Sequence, residues 1–270
     1  MQKFLSLIGA VCALGYLAAC LALFVFQRSM IYYPPAAAAL RAPQVSTLDV
    51  PGATIRVAER SHPGPQAVLY FGGNAEDVSV SLPQLSQAFA DRALYLPHYR
   101  GYAGSTGKPN EQALIADALA LYDRVAALQP HILVIGRSLG TGIAIQVASR
   151  RKVDGLVLVT PFDSLRELAA RQFPYFPVRW MLRDTYESWR YAPNITAPTL
   201  IIAAQHDDII PRASTERLLA QFRQGVASME IVEKAGHNSI SGQPAYGLLL
   251  QAAGKYCAKK TPPMPPMPLN

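Results

Sequence analysis

Cysteine is scarce: three in 270 residues, with Cys12 and Cys20 inside an apolar N-terminal run and Cys257 alone near the other end. That spacing builds no disulfide framework and leaves the redox compartment unreadable. Blocks of lysine and arginine are also lacking. The formal charge of +7 is spread along the chain without aromatic and basic interleaving, which argues against a dedicated nucleic-acid surface. Charge is missing altogether from residues 4–26, where Ser6, Gly9, Gly15 and Tyr16 are weak interruptions of an apolar stretch. As a helix this run measures about 34 Å at about 1.5 Å per residue, enough to cross a bilayer core. It also exceeds the about 7 to 15 apolar residues of a secretory signal.

The run closes with Gln27-Arg28, the aromatic pair Tyr32-Tyr33 at an expected interface, and Pro34-Pro35 as a helix stop. Residues 4–26 are therefore expected to be an uncleaved signal anchor, with 27–44 as a linker. A competing reading takes Leu17-Ala18-Ala19-Cys20 as a lipoprotein cleavage box that leaves Cys20 lipidated. Against it, the apolar run continues from Leu21 to Phe26. Either reading keeps the protein on a membrane. Lys3 on one side against Arg28 and Arg41 on the other leaves topology unassigned. The Pro/Met-rich tail, residues 259–270, is expected to be disordered.

What is present is enough apolar residue, 50% of the chain, for one catalytic domain over residues 45–258. Val45 to Val50 and Thr54 to Arg60 read as an opening hairpin across Pro51-Gly52, followed by buried strands near Ala67, Ala93, Ile132, Gly155, Thr199 and Met229. Helical patterns alternate with them, including Glu111 to Leu128 with Leu114, Ala118, Leu121 and Val125 on one face. The alternation predicts an α/β fold: a mostly parallel, doubly wound sheet of about eight strands, with ligands outside its carboxyl ends. Residues 161–191, rich in Phe, Tyr, Trp, Pro and Arg, form an insertion expected to be a small helical cap. Gly73, His98, Phe162 and Trp180 are candidate pocket residues. Phe173, Tyr175, Phe176 and Trp189 are further aromatics that either wall the pocket or simply fasten the cap to the sheet.

The stretch Ile132 to Gly142 organises the rest. A β-branched run leads into Gly136-Arg137-Ser138-Leu139-Gly140, the G-x-S-x-G pattern, and a helix of small residues follows. In that strand-to-helix context the pattern reads as a nucleophile elbow, whose glycines are needed because a Cβ at Gly136 or Gly140 would strike neighbouring backbone. A serine hydroxyl needs a base, and the base needs a third group to fix its tautomer. Of five histidines, His237 after the last strand fits best: His62 is in a turn before the sheet, His131 precedes the elbow strand at the wrong end, His206 shares a short loop with the acid candidates, and the loop of His98 lies upstream of the serine. Asp163, Asp207 and Asp208 all follow strand ends. Asp207 is preferred because it comes first after its strand loop while Ile209 and Ile210 are expected to turn into the core. The oxyanion donors are expected to be the backbone N–H groups of Leu139 and Asn74.

Taken together, Gly72-Gly73-Asn74-Ala75, Tyr99 to Ser105, Gly136 to Gly140, Pro161 to Leu165, Asp207 to Pro211 and Gly236-His237-Asn238 resemble the small membrane-anchored α/β-hydrolases of the bud-emergence type. That group is similar to the α/β-hydrolase-domain depalmitoylases. The resemblance covers nearly the whole chain, although Gly72 and His98 stand where many relatives carry His and Asp. It implies an α/β-hydrolase fold with Ser138, Asp207 and His237 as triad. The expected function is a membrane-tethered serine hydrolase acting on a small-molecule or acylated-protein ester or thioester, without metal or cofactor. An amidase or peptidase on the same triad, and a catalytically silent scaffold, are the alternatives.

Overall fold

Apolar runs without alternation require burial on both faces, and five of them form the middle of the sheet: β3 (Gln66–Phe71), β4 (Ala93–Pro97), β5 (His131–Arg137), β6 (Gly155–Val159) and β7 (Thr199–Ala204). The computed structural model describes residues 1–35 and 44–259, with side chains through Lys255. It adds β1 (Gln44–Val50) and β2 (Ala53–Arg60) at one edge and β8 (Ala227–Val232) at the other. Residues 36–43 of the expected linker and 260–270 of the expected tail lie outside the described residues. The strand order is β1-β2-β4-β3-β5-β6-β7-β8, antiparallel at its first two pairings and parallel in the rest. The expected eight-stranded, mostly parallel sheet is what the chain forms.

Each face of the sheet has its own apolar layer. On one, Leu69, Val134 and Leu158 meet α3 (Glu111–Ala126) and α4 (Leu139–Arg150) through Leu121, Val125, Ile143 and Val147. On the other, Val68, Leu133 and Val157 meet α2 (Leu82–Ala88) and α8 (Pro244–Lys259) through Leu85 and Leu250. Each fully buried Leu, Ile or Val here contributes roughly 1.5–3 kcal/mol. Helix α3 starts where Asn110 accepts the Ala113 N–H at 2.9 Å, and its apolar residues recur every three or four positions.

Parallel strands all deliver their carboxyl ends to one edge. The loops after β3, β5, β6, β7 and β8 therefore gather there and carry Asn74, Ser138, Asp163, Asp207 and His237. Above that edge, the insertion after β6 folds into α5 (Leu165–Gln172), α6 (Val178–Met181) and a 3-10 turn at Ser188–Arg190, while α7 (Arg212–Leu219) follows β7. Ser164 caps α5 by accepting the Glu167 N–H.

The N-terminal helix differs from expectation. It runs from Gln2 to Ile31 as α1, so residues 27–31 of the expected linker are helical. Gln27 and Arg28 do not end the helix because they find polar partners on the cap. The Gln27 amide donates to Met181 O at 3.3 Å and accepts the Arg183 N–H at 2.7 Å, and Arg28 forks onto Asp184 at 3.0 and 3.2 Å. Farther up, the Tyr16 ring stacks on Phe176 at 5.6 Å and its hydroxyl donates to Tyr175 O at 2.9 Å. The second half of α1 thus belongs to the domain. Its first half, from Phe4 to Leu14, is exposed and apolar, and among the described residues α1 is the one helix long and apolar enough to cross a membrane.

Candidate active site

Ser138 sits between β5 and α4 with φ +48° and ψ −116°, a conformation that costs a non-glycine residue on the order of 1–3 kcal/mol. The flanking contacts enforce it. A Cβ on Gly140 would lie 2.1 Å from Phe71 O, and one on Gly136 would lie 2.5 Å from Gly140 O. Only glycine lets β3, β5 and α4 approach this closely, and the turn then lifts the Ser138 side chain toward the edge of the sheet.

Three side chains from three loops meet there. His237 Nε2 lies 2.9 Å from Ser138 Oγ, and His237 Nδ1 lies 3.0 and 2.9 Å from the two carboxylate oxygens of Asp207. The histidine and aspartate side chains are only 5% and 8% exposed, so their interaction is shielded from water. Asp207 is held from its own loop. Its Oδ1 accepts the N–H groups of Ile209 and Ile210 at 3.0 and 2.7 Å. The other two acid candidates are placed elsewhere: Asp163 accepts from Ser214 and pairs with Arg217 at 2.6 Å, while Asp208 is exposed.

The loop after β3 lies against Ser138, since a Cβ on Gly73 would come 3.6 Å from Ser138 Cβ. Neither Asn74 N–H nor Leu139 N–H has an acceptor among the described residues; Leu139 opens α4, where helical N–H groups lack internal partners. Two features of this loop were not read from the sequence. Glu76 ties it down by accepting from Gly73 N–H at 2.6 Å, Tyr70 Oη at 2.8 Å and Ser81 Oγ at 2.7 Å while pairing with Arg137 at 3.3 Å. The Asn74 side chain clasps the end of α1, donating to Ile31 O at 2.6 Å and accepting the Tyr33 N–H at 3.0 Å and the Tyr102 hydroxyl at 2.8 Å. Both depend on contacts across more than one element, for which a local pattern carries no signal.

A cavity of about 690 Å³ opens over Ser138 and His237. Phe162 and Phe173 line it, but the expected pocket residues Gly73, His98 and Trp180 do not, nor do Tyr175, Phe176 and Trp189. Trp180 is 91% exposed on the outer side of α6. His98 is buried beneath the sheet edge, its Nδ1 3.9 Å from Asp77, and burial holds its ring below the ordinary histidine range; Asp77 opposes that shift and Arg56 adds to it. Ile210 turns into the core as expected, whereas Ile209 stays half-exposed, and both border the cavity. The wall that sequence reasoning missed is α1 itself: Leu23, Gln27, Met30 and Ile31 face the cavity opposite the cap.

A strained serine elbow at the carboxyl edge of such a sheet defines an α/β-hydrolase domain. The chain has the α/β-hydrolase fold: a family model described as the alpha/beta hydrolase fold matches residues 66–186. It is 39% identical over 181 residues to an uncharacterised protein of Mycobacterium tuberculosis, a match covering 65% of this chain and 63% of that protein, so the chain spans less than two thirds of that relative's length. Human alpha/beta hydrolase domain-containing protein 17B is 27% identical over 212 residues, covering 74% of this chain and 69% of that one. Among solved structures, the fold is similar to an esterase of Pyrococcus furiosus, with a TM-score of 0.66 at 14% identity over 85% of this chain and 97% of that chain.

Proposed function

We propose that this protein is a membrane-tethered serine hydrolase that cleaves a carboxylic ester or thioester through an acyl-enzyme. One observation carries the reading: the unbroken hydrogen-bond chain from Ser138 Oγ through the His237 ring to Asp207. With Nδ1–H donating to Asp207, Nε2 remains free to accept the serine proton. Ser138 Oγ bonds to the substrate carbonyl carbon as that proton passes to Nε2, and Asp207 stabilises the imidazolium. The carbonyl oxygen becomes an oxyanion facing the N–H groups of Asn74 and Leu139, each contributing about 3 kcal/mol in the transition state. Collapse expels the alcohol or thiol, which takes the proton from His237. Water then repeats the sequence and releases the acid, so the steps need no metal or cofactor.

Ester chemistry is favoured by the cavity, whose lining is mostly apolar, and by the name esterase carried by a protein of similar fold. Tethering is favoured by the exposed apolar face of α1, with mean hydropathy 2.4 in its most apolar window. Retention of the whole helix, rather than cleavage before Cys20, is favoured by the Tyr16 contacts with the cap, which cleavage would remove.

The test is fluorophosphonate labelling of the full chain in detergent, followed by p-nitrophenyl esters, acyl thioesters and aminoacyl amides as substrates. Ser138 is expected to be labelled, Ser138→Ala to abolish labelling, and esters or thioesters to be turned over ahead of amides. Folded protein that takes no label points to a silent scaffold, and preference for amides points to an amidase.

A further inference from the structure

Lipid-facing helices are usually thought of as tethers, yet half of α1 is built into the site. Of its length, residues 2–15 stand clear of the cap and span about 21 Å at about 1.5 Å per residue, less than the about 30 Å of a bilayer hydrocarbon core. Beyond them the helix is fixed to the cap by Tyr16, Gln27 and Arg28, and to the Asn74 loop by Ile31 and Tyr33. For α1 to reach across that core, the cap side of the domain must lie at the membrane surface. The cap's exposed aromatics agree: Tyr175 is 85% exposed and Trp180 91%, and Tyr175 lies beside Tyr16. Such rings suit the headgroup region.

The chemistry of the cavity narrows what it holds. On the α1 side it presents Leu23, Met30 and Ile31, and on the cap side Leu168, Phe173 and Val178. Of the four amides that line it, Gln172 and Asn238 are exposed to solvent and the other two are already engaged. Gln27 bonds Phe24 O, Met181 O and Arg183 N, and Asn74 bonds Ile31, Tyr33 and Tyr102. What remains polar at the floor is the reacting pair, Ser138 and His237. An apolar channel with one polar end fits a fatty acyl chain whose carbonyl sits at the serine, and the about 690 Å³ falls within the range of ligand pockets.

Resting on the hydrolase reading above, we propose that the C-terminal half of α1 is a wall of the acyl site and sets acyl-chain length, so that the fatty chain of a bilayer-resident lipid ester slides in between α1 and the cap. Leu23 and Met30 are the specificity-determining residues. Ile31 is held by Asn74, which fixes the wall relative to the nucleophile.

The experiment measures kcat/KM of the full chain in detergent for p-nitrophenyl acetate, octanoate and palmitate, with fluorophosphonate labelling as the check on folding. In Leu23→Trp and Met30→Trp the palmitate-to-acetate ratio is expected to fall at least tenfold, whereas Leu21→Trp, on the exposed side of the helix, should keep the wild-type ratio. Met30→Ala, which widens the channel, should raise it. A ratio within twofold of wild type in both cavity-facing Trp variants, or an equal fall in Leu21→Trp, overturns the proposal while leaving the hydrolase reading intact. Should the Trp variants lose labelling, Met30→Ala decides, and an unchanged ratio there overturns the proposal. Wild-type protein that turns over no ester overturns both.

Discussion

Replacing Asp207 with asparagine changes one atom and reverses the tautomer that His237 must adopt. Oδ1 of Asp207 accepts two backbone N–H groups, from Ile209 at 3.0 Å and Ile210 at 2.7 Å. In the variant those donors still demand an oxygen, so the amide nitrogen is forced toward His237 Nδ1. Nδ1 must then accept, and the ring proton moves to Nε2, the nitrogen 2.9 Å from Ser138 Oγ. A ring protonated there cannot take the serine proton. Loss of the general base by this route is expected to lower kcat by about 10⁴, or about 5.4 kcal/mol of transition-state stabilisation. Steady-state hydrolysis of p-nitrophenyl octanoate by Asp207→Asn measures it, with Asp163→Asn and Asp208→Asn alongside. Asp163→Asn should lower Tm, because it weakens the Arg217 pair, yet keep kcat within a few-fold; Asp208→Asn should do neither. If Asp207→Asn retains a tenth of the activity, or Asp163→Asn is equally crippling, the assignment of the acid is wrong.

Other consequences are as concrete. Gly140→Ala places a methyl 2.1 Å from Phe71 O, which only a backbone shift relieves, so stability should drop by at least about 4 kcal/mol in denaturant titration and labelling of Ser138 should vanish. Glu76→Gln sets an amide N–H against one of the donors that Glu76 now accepts, loosening the Asn74 loop; kcat should fall roughly tenfold or more with KM changed less. Burial depresses the native pKa of His98, so its contribution is fully present above the unfolded value of about 6.5 and is lost as pH falls toward the lower native value. Melting at about pH 8 and about pH 5.5 should therefore show a smaller acid-induced loss in His98→Leu than in wild type, and an equal loss would refute it.

The sheet was legible because its demands are local. Uninterrupted apolar runs, the Gly136-x-Ser138-x-Gly140 spacing and the Pro51-Gly52 turn each have few backbone solutions. Ser138, Asp207 and His237 could be read as a set because parallel strands bring their carboxyl ends to one edge whatever the helices between them do. The cap followed no such rule. Trp180 points outward while Val178 on the same helix is buried and lines the cavity, because short helices orient their side chains by tertiary contact, which periodicity over four to eight residues does not encode. The extent of α1 was hidden for another reason. Gln27 and Arg28 look like the start of water, and only the cap, more than 150 residues away in sequence, supplies the partners that keep them in the helix. Glu76 likewise reads as an ordinary loop carboxylate until Tyr70, Ser81, Gly73 and Arg137 converge on it.

The central claim, that Ser138 carries the acyl group during turnover, is tested most directly by quenching the full chain with acid within its first turnovers of p-nitrophenyl octanoate and mapping the modified peptide by mass spectrometry. The account predicts an octanoyl adduct on Ser138 that builds up in a burst of p-nitrophenolate. Steady turnover with the octanoyl group on another residue, or surviving in Ser138→Ala, would contradict it.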